Sequence, residues 1–107
     1  MKADLEKIYS KSDAELNFEG SIPFNKERFK DFDLLDLEGE YKLDLYNYDN
    51  TVRVDLIYEG IMTTSTGKHH FQNAYDEDLN ELLGQDVETL DIYEFLWQNI
   101  ILEVPLS

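Results

Sequence analysis

Asp76, Asp78 and Asn80 repeat the first three ligand positions of an EF-hand loop, in which oxygen donors at i, i+2 and i+4 wrap a calcium ion. The pattern then fails. Glu81 stands where the loop needs glycine, Val87 takes the place of the closing bidentate Glu, and Glu88 falls one position late. A solvated acidic face is the expectation for that stretch, and no metal is assigned. His69 and His70 are adjacent, so in a strand they point to opposite faces and do not converge on one ion; an exposed loop is expected there. Ser65 has both histidines within five residues, yet neither a nucleophile elbow nor a phosphate-binding loop surrounds it. With 24 acids in the chain, a pair at glycosidase spacing arises by numbers alone. The absence of cysteine excludes a disulfide framework, a thiol nucleophile and a thiolate metal site. The residues therefore point to a protein without catalytic machinery and without a cofactor.

Charge points elsewhere. The 107 residues carry 9 Lys and Arg against 24 Asp and Glu, a net charge of −15, and no Lys or Arg follows Lys68. Such a field repels nucleic acid and attracts basic proteins. A basic partner would meet the acids of the second half, Asp76, Glu77, Asp78, Glu81, Asp86, Glu88 and Glu94. Lys26, Arg28 and Lys30 are the candidates for touching RNA, although Glu27 and Asp31 among them give the segment the look of a solvated helical face. Neither a secretory leader nor an apolar run of membrane-spanning length is visible, so a cytoplasmic protein without a membrane association is expected.

The elements that would position these residues follow from periodicity. Residues 1–107 read as one domain, in which Met1 to Lys11 is a short helix or, over residues 1–12, a loosely ordered arm. Glu15 to Gly20 alternates as a strand, and Pro23 excludes its continuation. Asn25 to Lys30 reads as one or two helical turns. From Leu35 to Thr64 the alternation is strongest: Leu37, Tyr41, Leu43 and Leu45 on one strand, and Val52, Val54, Leu56, Tyr58 and Met62 on the next, with a turn at Asn47–Asn50. Glu38, Glu40, Asp44, Asp55 and Glu59 fall on the opposite, exposed face. A hairpin needs a cover. The segment from Asp91 supplies it, with Asp91 and Glu94 at capping-box spacing, a wide apolar arc through Phe95, Trp97 and Ile100, and Pro105 as the stop. Tyr75 to Gly84 reads as a short acidic helix or a loop, with Asn73 as its cap. The expected fold is α+β: a twisted antiparallel sheet built on a long central hairpin and packed against a C-terminal helix.

Two stretches carry a family resemblance. Leu37-Glu38-Gly39-Glu40-Tyr41, Val52 to Gly60 and Ile61-Met62-Thr63-Thr64-Ser65-Thr66 resemble the central strands of the YceD-like proteins, the large ribosomal RNA subunit accumulation proteins. The close from Leu90 to Leu106, with its Ile100-Ile101-Leu102-Glu103-Val104-Pro105-Leu106 ending, is similar to the ending of that family. Two departures stand beside the likeness. Many members carry cysteines flanking an arginine after the second strand, where this chain has Ser65-Thr66-Gly67, and the connection to the helix is shorter here. The resemblance implies a non-enzymatic role in the synthesis, processing or accumulation of large-subunit (23S) ribosomal RNA. Combined with the charge, it implies action through a basic ribosomal or assembly protein, with ribosomal RNA contacted indirectly. The competing reading is an acidic inhibitor or a module that mimics nucleic acid. The residues leave the oligomeric state open.

Overall fold

A computed structural model describes residues 1–105; Leu106, the last residue of the family-like ending, lies outside them. Strands β2 (Glu15–Ser21), β3 (Asp36–Tyr48), β4 (Thr51–Thr64) and β5 (Gly67–Asp78) form one antiparallel sheet in the order β2-β3-β4-β5. Alternation decides which side of it is covered. Leu37, Tyr41, Leu43 and Leu45 of β3 lie beside Met62, Tyr58, Leu56 and Val54 of β4, and all eight are buried on the inner face. Their neighbours in sequence form the outer face. The fold is thus the α+β arrangement expected from the periodicity.

The hairpin between β3 and β4 closes through two residues, Asp49 and Asn50, with φ of 53° and 64°. Asn and Asp tolerate that left-handed region, and a two-residue turn of this hand matches the strand twist. β4 returns to β5 through Ser65 and Thr66 only, so the shortened connection at Gly67 is a second tight hairpin rather than a loop.

The inner face is covered by α3 (Ile92–Ile100), which buries Ile92, Phe95, Leu96 and Ile100 and continues as a 3-10 turn at Ile101–Glu103. Asp91 Oδ1 accepts the Glu94 N–H at 3.2 Å, which is half of a capping box. Trp97 is half-buried and donates from Nε1 to the Pro23 carbonyl at 2.8 Å. Tyr93 meets Tyr41 edge-on and Tyr75 donates to Asn99 Oδ1 at 3.0 Å, so α3 touches the sheet at both β3 and β5.

Four readings of the sequence change. The opening segment is not a loose arm. β1 (Lys2–Asp4) pairs with β6 (Thr89–Asp91), α1 (Glu6–Tyr9) follows, and Ala3, Leu5 and Ile8 enter the core. Asn25 to Lys30 forms turns rather than a helix: the Arg28, Phe29 and Lys30 N–H groups bond back three residues, and Asn25 Oδ1 also accepts from Arg28. Burying Phe29 anchors this turn, and no i→i+4 bond extends it. Residues 67–78 are strand, so His69 and His70 lie in β5 rather than in a loop, and the helix read over Tyr75–Gly84 shrinks to α2 (Leu79–Leu83). Its cap is Asp78, which accepts from the Asn80 and Glu81 N–H groups, and Gly84 ends it at φ 72°.

Candidate functional site: the open face of the sheet

Among the described residues no element packs on the outer face, and the strand registers arrange its charges in rows. One row runs Asn17, Asp44, Asp55, Asp76 across all four strands. Its neighbour runs Glu19, Lys42, Ile57, Ala74, and the next runs Ser21, Glu40, Glu59, Gln72. Directly opposed carboxylates on adjacent strands repel. Burial, then Asp76, then Asp44 hold the Asp55 carboxyl above the ordinary carboxylate range. Asp44 Oδ1 is shielded from solvent and has no hydrogen-bond partner among the described residues.

Part of this charge is balanced within the fold. Arg53 donates to Asp76 Oδ1 from Nη2 at 2.7 Å and from Nε at 2.9 Å, and its guanidinium lies 5.9 Å from the centre of the exposed Tyr48 ring. Among the described residues neither Asp44 nor Asp55 has a comparable ion pair, although the Arg53 charge also reaches Asp55 and Lys42 lies beside both. Between the acidic rows Ile57 is 56% exposed, and Lys42, Asp44, Asp55, Ala74, Tyr75 and Asp76 surround it in a shallow recess of about 340 Å³. An apolar floor rimmed by carboxylates suits a Lys or Arg side chain, whose methylene stem packs while its head is neutralised.

The acids singled out in the sequence are dispersed. Asp76 belongs to the outer-face row. Asp78, Glu81 and Asp86 line a second recess with Thr51, Asn80, Gly84 and Gln85 at the far end of the sheet. Glu77 and Glu88 are exposed, and the Glu88 carbonyl accepts the Leu5 N–H at 2.9 Å. Glu94 is bound to Arg28, with Nη2 to Oε1 at 2.9 Å and Nε to both oxygens at 3.0 and 3.2 Å. Lys26, Arg28 and Lys30 share one turn, with Arg28 engaged by Glu94 and Lys30 by Glu27 at 3.1 Å. Asp44 and Asp55 were placed on the exposed face by alternation. Their alignment with Asp76 required β5, which periodicity did not reveal.

The remaining chemical candidates resolve into local structure. Ser65 donates from Oγ to Asp33 Oδ2 at 2.7 Å and from its N–H to Oδ1 at 3.0 Å, and these bonds lower the Asp33 carboxyl pKa. His69 Nε2 lies 3.1 Å from both the Thr64 and the Thr66 hydroxyl, not beside Ser65 Oγ. Asp76 and Asp78 are in a strand, and Asn80 accepts the Tyr9 hydroxyl at 2.7 Å, so the three do not form a calcium loop. Among the described residues no group of three or more His, Asp or Glu is placed to hold a metal ion, and no helix is long and apolar enough to cross a membrane. Comparison of the chain with family models, with curated proteins and with solved structures finds no match.

Proposed function

We propose that this chain is a non-enzymatic binding module whose open sheet face captures a basic protein, and that it serves the accumulation of large-subunit ribosomal RNA in the cytoplasm. The observation that carries the reading is the row Asp44, Asp55, Asp76 beside the exposed Ile57. Opposed carboxylates repel one another, and a Lys or Arg bound between them relieves that repulsion as well as forming its own ion pairs. The process itself is supported by the family resemblance of the hairpin and the ending. Net charge of −15 favours a ribosomal or assembly protein over bare RNA as the direct ligand.

The test is pull-down from lysate on the immobilised chain, at low and high salt and with nuclease, followed by direct binding of the purified partner. Basic large-subunit proteins retained after nuclease and released by salt are expected, because screened attraction fades beyond about 8 Å at physiological ionic strength. Exchange of Asp44 and Asp55 for Asn together is expected to weaken the purified complex at least about tenfold. A catch that disappears with nuclease, or one indifferent to this exchange, overturns the reading.

A further inference from the structure

Strand β5 ends the sheet, and the direction of its free hydrogen-bonding groups follows from its neighbours. Ile22 N–H bonds to the Gly39 carbonyl at 2.8 Å and Asn47 N–H to the Ala14 carbonyl at 3.1 Å, so odd-numbered residues of β3 address β2. Leu35 N–H takes the Thr63 carbonyl at 2.7 Å, so odd residues of β4 address β3. Even residues of β4 therefore address β5, and their partners there are odd. The N–H and C=O groups of Lys68, His70, Gln72, Ala74 and Asp76 face outward, the Asp76 carbonyl accepting from Arg53 Nη2 at 3.3 Å. In accord with this, the Ala74 N–H is taken by the Asn73 side chain at 2.9 Å and not by β4.

An open edge of 12 residues is a template for another strand. The strand is polarised along its length: Lys68 and the imidazoles of His69 and His70 at one end, the carboxylates Asp76, Glu77 and Asp78 at the other, all exposed or half-exposed. We propose that β5 pairs antiparallel with β5 of a second copy of this chain, with the twofold axis at Asn73, joining two four-stranded sheets into one.

An axis normal to the sheet requires opposed residues to share a face, which admits only pairs of like parity. Centred on Asn73, the pairing sets Lys68 against Asp78, His69 against Glu77 and His70 against Asp76, twice by symmetry. Centring on Gln72 keeps none of these contacts and leaves a single opposite-charge pair, Lys68 against Asp76, with His70 against Ala74. The other edge behaves in the opposite way. β2 carries Glu15 and Glu19 and no cation, so antiparallel self-pairing about Asn17 sets Glu15 against Glu19. Long-range repulsion between two copies of net charge −15 opposes the dimer and is screened at physiological salt.

Because the chain has no cysteine, Asn73→Cys gives an unambiguous readout. Odd positions form the non-hydrogen-bonded pairs of the proposed ladder, the closer kind, within reach of a disulfide. Mild oxidation at physiological salt is expected to cross-link this variant to twice the 12.6 kDa monomer, and more completely than Gln72→Cys. Sedimentation equilibrium of the unmodified chain, from micromolar to submillimolar protein, is expected to show the same dimer. Ala74→Pro removes an N–H that β4 does not use, so it should leave the fold intact by circular dichroism and abolish the dimer. Lys68→Glu, at an exposed position, should raise the dissociation constant roughly tenfold. A monomer at every concentration, a dimer insensitive to both substitutions, or cross-linking that favours position 72 overturns the proposal.

Discussion

Gly39 and Gly60 lie directly opposite each other across β3 and β4, and neither has room for a methyl group. A Cβ on Gly60 would collide with the Glu38 carbonyl oxygen and stand 2.8 Å from Phe71 Cζ, and one on Gly39 would collide with the Glu59 carbonyl and stand 3.0 Å from Ile22 Cδ1. Ile22 and Phe71, both buried, fill the notch from the two flanks. Since the obstacle is backbone, it does not swing aside. Gly60→Ala is expected to cost about 3 kcal/mol, at the upper end of overpacking effects. Urea titration followed by Trp97 fluorescence measures it, and a loss below about 1 kcal/mol would show that the strands separate readily.

Arg28 and Glu94 tie the turn after Pro23 to the first turn of α3. The geometry is forked, and both side chains are about one-third exposed, at 29% and 37%. Solvent screening limits such a pair to about 1 kcal/mol or less. Arg28→Ala should lose that amount, and Arg28→Lys should recover less than half, because an ammonium keeps the charge without the planar fork. A double-mutant cycle with Glu94→Gln isolates the coupling. Equal stability of the Lys variant and the parent would reduce the contact to simple charge.

The central hairpin was legible because it is buried on one face and solvated on the other, a condition that makes alternation visible. The turn expected at Asn47–Asn50 narrows to Asp49-Asn50 because Asn47 and Tyr48 stay in β3, and Asp91 marked the start of α3. β5 escaped because Phe71 is its only fully buried residue, so an edge strand with polar residues on both faces has no period to detect. β1 and β6, at three residues each, are too short to carry one. The site was half visible for the same reason. Alternation put Asp44 and Asp55 on one face, but their direct opposition follows from the two-residue closure between Tyr48 and Thr51, and Asp76 joins them only once β5 is known.

Asp55 and Asp33 link stability to pH with opposite signs. For Asp55 the folded-state pKa is raised, so between its unfolded and folded values the native state binds more protons. Stability from this group is therefore greatest in acid and falls as pH rises through the folded pKa. Asp55→Asn should stabilise the protein at neutral pH by a few tenths to about 1 kcal/mol, with the gain vanishing in acid. Asp33 is lowered by its bonds from Ser65, so its contribution is present above the unfolded pKa and is lost as pH falls through the folded value. Urea midpoints of Asp55→Asn and Asp33→Asn across the acidic range should diverge from the parent in opposite directions as pH rises. Parallel curves would sink the assignment of repulsion to the Asp44, Asp55, Asp76 row.

Ile8 tests whether the opening segment is integral to the domain. It is fully buried, its carbonyl accepts the Asn47 side-chain N–H at 2.9 Å, and the adjacent Tyr9 hydroxyl donates to Asn80. The same segment completes the C-terminal half: Ala3 pairs with Leu90, and the Ile92 N–H at the start of α3 bonds to the Met1 carbonyl at 2.9 Å. A dispensable arm would tolerate truncation of any of its side chains. A docked one would not, because Ile8→Ala leaves a cavity beneath β3 and β4 and should cost 2–5 kcal/mol, on the order of other buried large-to-small exchanges. Lys7→Ala, one position away and exposed, should change stability by less than about 0.5 kcal/mol. Comparable small effects at both positions, in urea titrations followed by Trp97 fluorescence, would return the segment to an appendage and leave α3 to stand on the sheet alone.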